Sequence, residues 1–399
     1  MSEFRHVGRI MVSLWGRRVG IIVPMGSRGE TYAFQYDRQF LKSGLEIAPL
    51  MMPLRPEPYM FADLPRSEYE GLPPAFADSL PDAFGQGLIN RWLTAKGYER
   101  SEITALDRLA YIGRRAVGAL TYEPDRGPGG PPAAFEMRSL VEAARKVFNG
   151  ELADFDGAEA LRVIMRIGSS VGGAQAKALV GWNRATGQFL FGDRDLPHGF
   201  EHWIIKFTPR EYPWRGRTEY LTYQKARAAG LDMCESVLYE LDGLEHFMTK
   251  RFDREGARHL HVQTLSAMAH FPMSVPLEFR TYEQYLATVD ALNIGYEALE
   301  QAFRRIVFNV AVDECDDHTK NFSFLMDEDG RWMLAPAYDL TGSQFPQDDP
   351  WSANGGRHQL SVNGKQSRIT DDDLLIVADR FAIGTAPRVL REVKAALER

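Results

Sequence analysis

Residues 303–343, FRRIVFNVAVDECDDHTKNFSFLMDEDGRWMLAPAYDLTGS, join an apolar run to two acidic centres, Asp316 and Asp339, with Asn321 between them. Asp316 and Asn321 have the D-x-x-x-x-N spacing of a phosphoryl-transfer loop, in which the aspartate orients an attacking hydroxyl and the asparagine holds a metal. Asp339 is then a candidate second metal ligand. Asp and Asn are also ordinary loop residues, so the spacing alone leaves a plain turn open. Upstream, Leu299, Phe303, Ile306, Val307 and Val310 recur at helical spacing and predict a buried helix that feeds directly into Asp316. Such a helix restricts where a catalytic acid can sit.

A chain of 399 residues is long enough for two or three domains with real cores. Its 44% hydrophobic and 25% charged residues are those of a globular protein. A formal charge of -7 argues against a protein whose main work is gripping nucleic acid. Two cysteines, Cys234 and Cys315, are too few for a zinc cluster or a disulfide framework. Cys315 precedes Asp316, but its apolar surroundings favour a buried structural thiol over a nucleophile. No signal-peptide pattern opens the sequence, and no apolar run approaches the ~20 residues needed to cross a bilayer. A cytoplasmic protein without membrane contact is expected.

From the N-terminus, residues 7–12 and 18–23 flank a Trp15-Gly16-Arg17 turn, and 31–36 is rich in strand formers, so residues 7–36 predict a small antiparallel sheet. Residues 87–93 have helical periodicity, and a broken helix is expected over 105–109 and 114–117. Asp82 reads as a turn or cap residue. The run 123–132, EPDRGPGGPP, supports neither a helix nor a central strand and marks the domain junction. Helices are expected over 137–148 and 158–166.

Residues 168–180, GSSVGGAQAKALV, combine a flexible segment with an apolar run. Such a loop can bring backbone N–H groups to phosphate oxygens, with Lys177 adding charge, and it can equally be a structural turn. It is not a Walker A sequence. In the strand 202–207, Lys206 stands alone among apolar residues, either facing solvent or opposing nucleotide phosphates. Glu219 opens an expected helix over 219–229 that ends at Gly230, and it can pair with Lys206 or complement the helix N-terminus. Residues 245–254 fit a strand that leads to a polar bend.

In order along the chain, 80-LPDAFG-85, 170-SVGGAQAK-177, 204-IIK-206, 251-RFDR-254, 316-DDHTKN-321 and 336-PAYDL-340 resemble the HipA family of bacterial serine/threonine protein kinases, toxins of type II toxin–antitoxin pairs. The resemblance covers nearly the whole chain. It implies an α+β architecture, a two-lobed protein-kinase-like fold with an added N-terminal α/β subdomain. That subdomain would span 1–122, followed by a linker over 123–132. The nucleotide-binding part would occupy 133–250, and a mainly helical catalytic lobe 251–399.

The resemblance also implies roles. Asp316 would be the catalytic acid/base, and Asn321 and Asp339 would hold Mg2+. Lys206 would contact ATP phosphates beneath a loop of Ser170, Val171, Gly172, Gly173, Ala174, Gln175 and Lys177. Lys250, Phe252 and Asp253 would line the inter-lobe linker, with Asp253 near the ribose, and His318 and Lys320 would stand beside the nucleotide. Ser170 matches the serine on which family members autophosphorylate, which expels the loop and turns the kinase off. A HipB-like helix-turn-helix antitoxin would be the partner, with operator DNA reached through it. The substrate would be a translation protein, an aminoacyl-tRNA synthetase being the familiar target. This sequence departs from the family at Lys250, where glutamate is common. It departs again at Val312-Asp313-Glu314-Cys315, which replaces a Gly–Asn-containing approach and adds two carboxylates. A small-molecule kinase and a nucleotide-binding regulatory protein are the alternative functions.

Overall fold

Strict alternation builds the first sheet: Ile10, Val12 and Leu14 of β1 (Ile10–Leu14) are buried while Met11 and Ser13 are less so. The computed structural model describes residues 6–26, 31–81, 83–95, 97–127, 134–148, 177–192, 195–256, 258–342 and 357–398. β1 pairs antiparallel with β2 (Arg17–Met25) across Trp15 and Gly16, both at positive φ, as a tight primed hairpin turn requires. β3 (Thr31–Tyr36) follows on β2, and β4 (Leu120–Glu123) closes the other edge against β1. That fourth strand, only four residues long, carries too little pattern to be read from sequence. Helix α1 (Ala83–Ala95) and helix α2 (Ala105–Ile112) belong to the same unit. A capping box between Thr104 and Asp107 starts α2, and Gly113 at positive φ ends it. The second half of the expected broken helix, 114–117, is therefore not helical; it leads instead into β4.

The second sheet has the order β6-β5-β7-β9-β8, all antiparallel. Its strands are β5 (Lys177–Asn183), β6 (Gln188–Phe191), β7 (Glu201–Lys206), β8 (Ser236–Leu241) and β9 (Leu244–Lys250). Helix α3 (Met137–Phe148) supplies Met137 and Leu140 to its core, and α4 (Arg215–Ala228) packs along β8 and β9. The expected helix over 158–166 lies outside the described residues.

The third unit is mainly helical. Its core gathers residues of α5 (Tyr282–Ala291), α6 (Tyr296–Ala311), α7 (Asp371–Arg380) and α8 (Ala386–Leu397). A small sheet of β10 (His261–Thr264), β11 (Ser323–Met326) and β12 (Trp332–Leu334) lies against it. Phe303, Ile306, Val307 and Phe308 of α6 are buried, so the chain leaves the helix at a fixed point just before Asp316. Among the described residues no helix is long and apolar enough to cross a membrane.

The N-terminal unit is bolted to the segment 253–266, which follows the second sheet and leads into the helical unit. Trp15 donates through Nε1 to the carbonyl of His259, Tyr69 bonds Ser266, and Asp78 accepts from the Thr264 amide and hydroxyl. At the centre is a buried charge cluster. Asp253 accepts from Arg251, Arg254 and the Gly118 amide, while Arg254 donates onward to the carbonyls of Gly118 and Ala116. Gly118 must be glycine: it sits at φ +85, and a Cβ there would lie 2.9 Å from the Val262 nitrogen.

Candidate active site

Antiparallel register brings two lysines together. Lys177 at the start of β5 pairs with Lys206 at the end of β7, so both side chains leave the same face of the sheet, and both are buried. A solvent-facing role for Lys206 is thereby removed. Its ammonium donates to both Glu219 of α4 and Asp339. Because α4 begins at Arg215, Glu219 stands past the first turn and is 4% exposed, so it is not a helix N-terminal charge. Its partner is Lys206.

One ammonium between two buried carboxylates sets the local electrostatics. Burial alone would lower Lys206, but Asp339 and Glu219 overrule it and hold the ammonium well above its ordinary range. Burial would raise Asp339, yet Lys206 and Lys177 keep it well below the usual carboxylate range. Glu219 has less opposing charge, and burial pushes it up to about 7. Asp339 itself has φ 55, an uncommon left-handed conformation for a residue with a side chain.

Across from this triad, the segment after α6 presents Asp316. Its side chain is 47% exposed. Partial burial, then the like charges of Asp339 and Asp317, push it up to about 7, with Lys206 and Lys177 pulling the other way. Asn321 donates Nδ2 to the Asp316 carbonyl at 2.8 Å, which turns its Oδ1 outward as the atom available to a cation. Asp317 is the anchor of the loop. It accepts from the Tyr282 hydroxyl at 2.7 Å and the Gln359 amide at 2.6 Å, and it bonds His358 Nδ1 at 2.9 Å. Asp317 thereby raises His358 against the pull of burial.

Gln359 then reaches Asp316 itself, donating Nε2 to Oδ1 at 3.1 Å. Sequence reasoning missed Gln359, because it lies 43 positions away in a stretch with no motif around it. The polar pair before Leu360 offered no signal of its own.

Oxygen donors from Asn321 and Asp339 suit a hard cation. Among the described residues there is no group of three or more His, Cys, Asp or Glu side chains able to hold a metal. Mg2+ needs no such cage when nucleotide phosphates complete its shell, so the residues present fit it.

Other candidates lie differently. Ser170, Val171, Gly172, Gly173, Ala174 and Gln175 are outside the described residues. Lys250 pairs with Glu201 on the neighbouring strand, and Phe252 tilts against Tyr338 at 5.4 Å. Asp253 is 2% exposed and faces the N-terminal unit, its carboxylate held by two arginines and an amide. Buried in this way it presents almost no surface to a ribose. His318 Nε2 stands 3.9 Å from Asp316 Oδ1, beyond hydrogen-bond distance, and burial lowers its pKa. The Lys320 carbonyl accepts from the Tyr338 hydroxyl at 2.7 Å.

A five-stranded antiparallel sheet with a lysine–glutamate pair, facing a helical lobe whose loops carry Asp316, Asn321 and Asp339, defines a two-lobed kinase-like α+β protein with an extra N-terminal unit. Family models carry this further: the HipA N-terminal domain matches residues 10–123 and the HipA-like C-terminal domain matches residues 169–399. The chain belongs to the HipA family.

It is 24% identical over 348 residues to a Sinorhizobium fredii protein named "Putative kinase Y4dM", covering 82% of this chain and 76% of that one. A Haemophilus influenzae protein named "Putative kinase" is 26% identical over 160 residues, covering 37% of this chain and 47% of that one. Among solved structures, a chain of the Shewanella oneidensis MR-1 complex of the toxin–antitoxin system HipA, HipB and its operator DNA superposes with a TM-score of 0.66. It is 15% identical and covers 97% of this chain and 91% of that one, a likeness of fold.

Proposed function

We propose that the chain is an ATP–Mg2+-dependent protein serine/threonine kinase of the HipA type. The observation that carries this reading is the bonding of one buried ammonium, Lys206, to both Glu219 and Asp339. It joins the sheet to the loop that would hold the metal. Bound ATP–Mg2+ supplies the phosphoryl group and neutralises its charge. Lys206 and Lys177 oppose negative charge from the sheet side. Asn321 and Asp339 would hold the cation through their side-chain oxygens. Asp316, the exposed carboxylate, orients the acceptor hydroxyl and accepts its proton. A carboxyl held near 7 is well matched to that task at neutral pH.

Family membership supports the biological half of the reading. The chain acts in the cytoplasm as a growth-inhibiting toxin, its acceptor is a translation protein such as an aminoacyl-tRNA synthetase, and a HipB-like antitoxin restrains it. Operator DNA is met through that antitoxin. Ser170 is the autophosphorylation site that switches the kinase off, since a new phosphate adds about two negative charges that the phosphates of ATP would repel. The test is incubation with labelled ATP and Mg2+ alone and with cell extract. Label on a serine or threonine of this chain or of an extract protein supports the reading. Absence of both transfer and nucleotide binding rejects it, and transfer to a small molecule favours the same scaffold with another acceptor.

A further inference from the structure

Glu314, one of the two carboxylates that depart from the family pattern, is 2% exposed. Its Oε1 accepts from the Asp316 amide at 3.0 Å, and its Oε2 accepts from the Thr341 and Gly342 amides at 2.5 and 2.7 Å. An ionised carboxylate has enough lone pairs for all three. Behind the same loops, Arg305 of α6 is 4% exposed and donates Nη2 to the carbonyls of Asn321 and Tyr338 at 2.7 and 3.0 Å. Its guanidinium lies 4.3 Å from the centroid of the Phe322 ring. Tyr338 precedes Asp339 and Thr341 follows it by two, so the two charges grip both flanks of one residue. Both also hold the 316–321 loop. Thr341 is tied on its other side, where its carbonyl accepts from Thr222, three residues beyond Glu219 on α4.

We propose that Glu314 and Arg305 are a positioning clamp that fixes the separation of the Asp316–Asn321 loop from the Asp339 loop, the carboxylate gathering amides and the guanidinium gathering carbonyls. Neither touches a reacting atom. These loops have no ladder to pair their backbone groups, so the two buried charges supply the partners. The carboxylates before Asp316 thus gain a role in this chain: Asp313 makes the turn at φ 51, and Glu314 makes the bonds. The inference rests on the phosphotransfer reading only for its effect on rate.

Glu314→Gln keeps the size but sets an NH2 against at least one of the three amides. Glu314→Asp keeps the charge and shortens the reach. Burial raises Glu314 to about 7 while the three amides pull it down, so measurements belong at about pH 8, where it is ionised. Amide exchange of the full-length chain reads the clamp without reference to activity. The Gln variant should exchange at least about tenfold faster at one or more of the Asp316, Thr341 and Gly342 amides, with β10 and β11 unchanged. A loop displaced by about 1 Å should lower kcat for phosphoryl transfer on the order of 100-fold, with the KM for ATP within about threefold.

The Asp variant should fall between, and it carries the test if the Gln variant does not fold. Unchanged exchange at 316, 341 and 342 in both variants overturns the clamp. Faster exchange with undiminished kcat overturns its positioning role. A wild-type chain without transfer refutes the kinase reading and with it the effect on rate, while the exchange result still decides the clamp.

Discussion

Asp253→Asn separates two roles for one residue. Placed near a ribose, Asp253 would matter to nucleotide affinity. In the structure its carboxylate accepts Arg251 Nε at 2.8 Å, Arg251 Nη2 at 2.7 Å, Arg254 Nη1 at 2.6 Å and the Gly118 amide at 2.8 Å. Asparagine leaves two buried guanidinium groups without an anion and turns an NH2 toward donors. Breaking a buried pair in this way costs about 3–5 kcal/mol. For a chain this long that moves a urea midpoint down on the order of 1 M.

The pH dependence follows from the sign of the shift. Burial opposes ionisation, but the arginines hold Asp253 well below the carboxylate range, so its contribution is present above about pH 4 and is lost only in strong acid. The penalty should therefore be constant between about pH 5 and pH 8. The assay is urea unfolding followed by tryptophan fluorescence, alongside nucleotide titration of the folded variant. A wild-type midpoint with weakened ATP binding would refute the structural role of the Asp253–arginine cluster and restore the ribose contact.

Gln359→Leu removes a donor from the ionised form of Asp316. With the site half open, the loss is about 1 kcal/mol, so the acid limb of the kcat/KM profile should move up by about 0.7 pH unit and the rate at neutral pH fall about threefold. An unmoved limb rules out the contact as an influence on Asp316. Lys206→Met should cut phosphoryl transfer on the order of 100-fold or more and weaken nucleotide binding, measured by calorimetric titration. Asp316→Asn should abolish transfer yet raise the melting temperature at about pH 8, where the wild-type carboxylate is ionised among like charges, and the gain should shrink toward about pH 5 as that carboxyl takes up a proton. A gain that grows toward acid would reverse the assigned sign.

What the sequence made legible was what periodicity and spacing encode. The alternation of Ile10, Val12 and Leu14 gave the first sheet, and the apolar stripe of α6 gave the helix that ends just before Asp316. The order Lys206, Glu219, Asp316, Asn321, Asp339 named side chains that the fold draws together, and the family pattern gave the overall architecture. The register that sets Lys177 beside Lys206 is a property of pairing and has no local signature. Gln359 and Arg305 act through single contacts across the chain, which no spacing announces. RFDR reads as a polar bend, whereas burial against Gly118 makes its charges part of a structural core. Ser170 and its loop lie outside the described residues, so their roles remain with the proposal.

The central claim is that Asp316 accepts the proton of a hydroxyl undergoing phosphorylation. The most direct measurement is transfer of labelled phosphate from ATP, with Mg2+, by the wild-type chain and by Asp316→Asn at matched nucleotide occupancy. The expected result is label on serine or threonine with the wild type and none with the variant, both binding nucleotide. Equal labelling by the two proteins would contradict it.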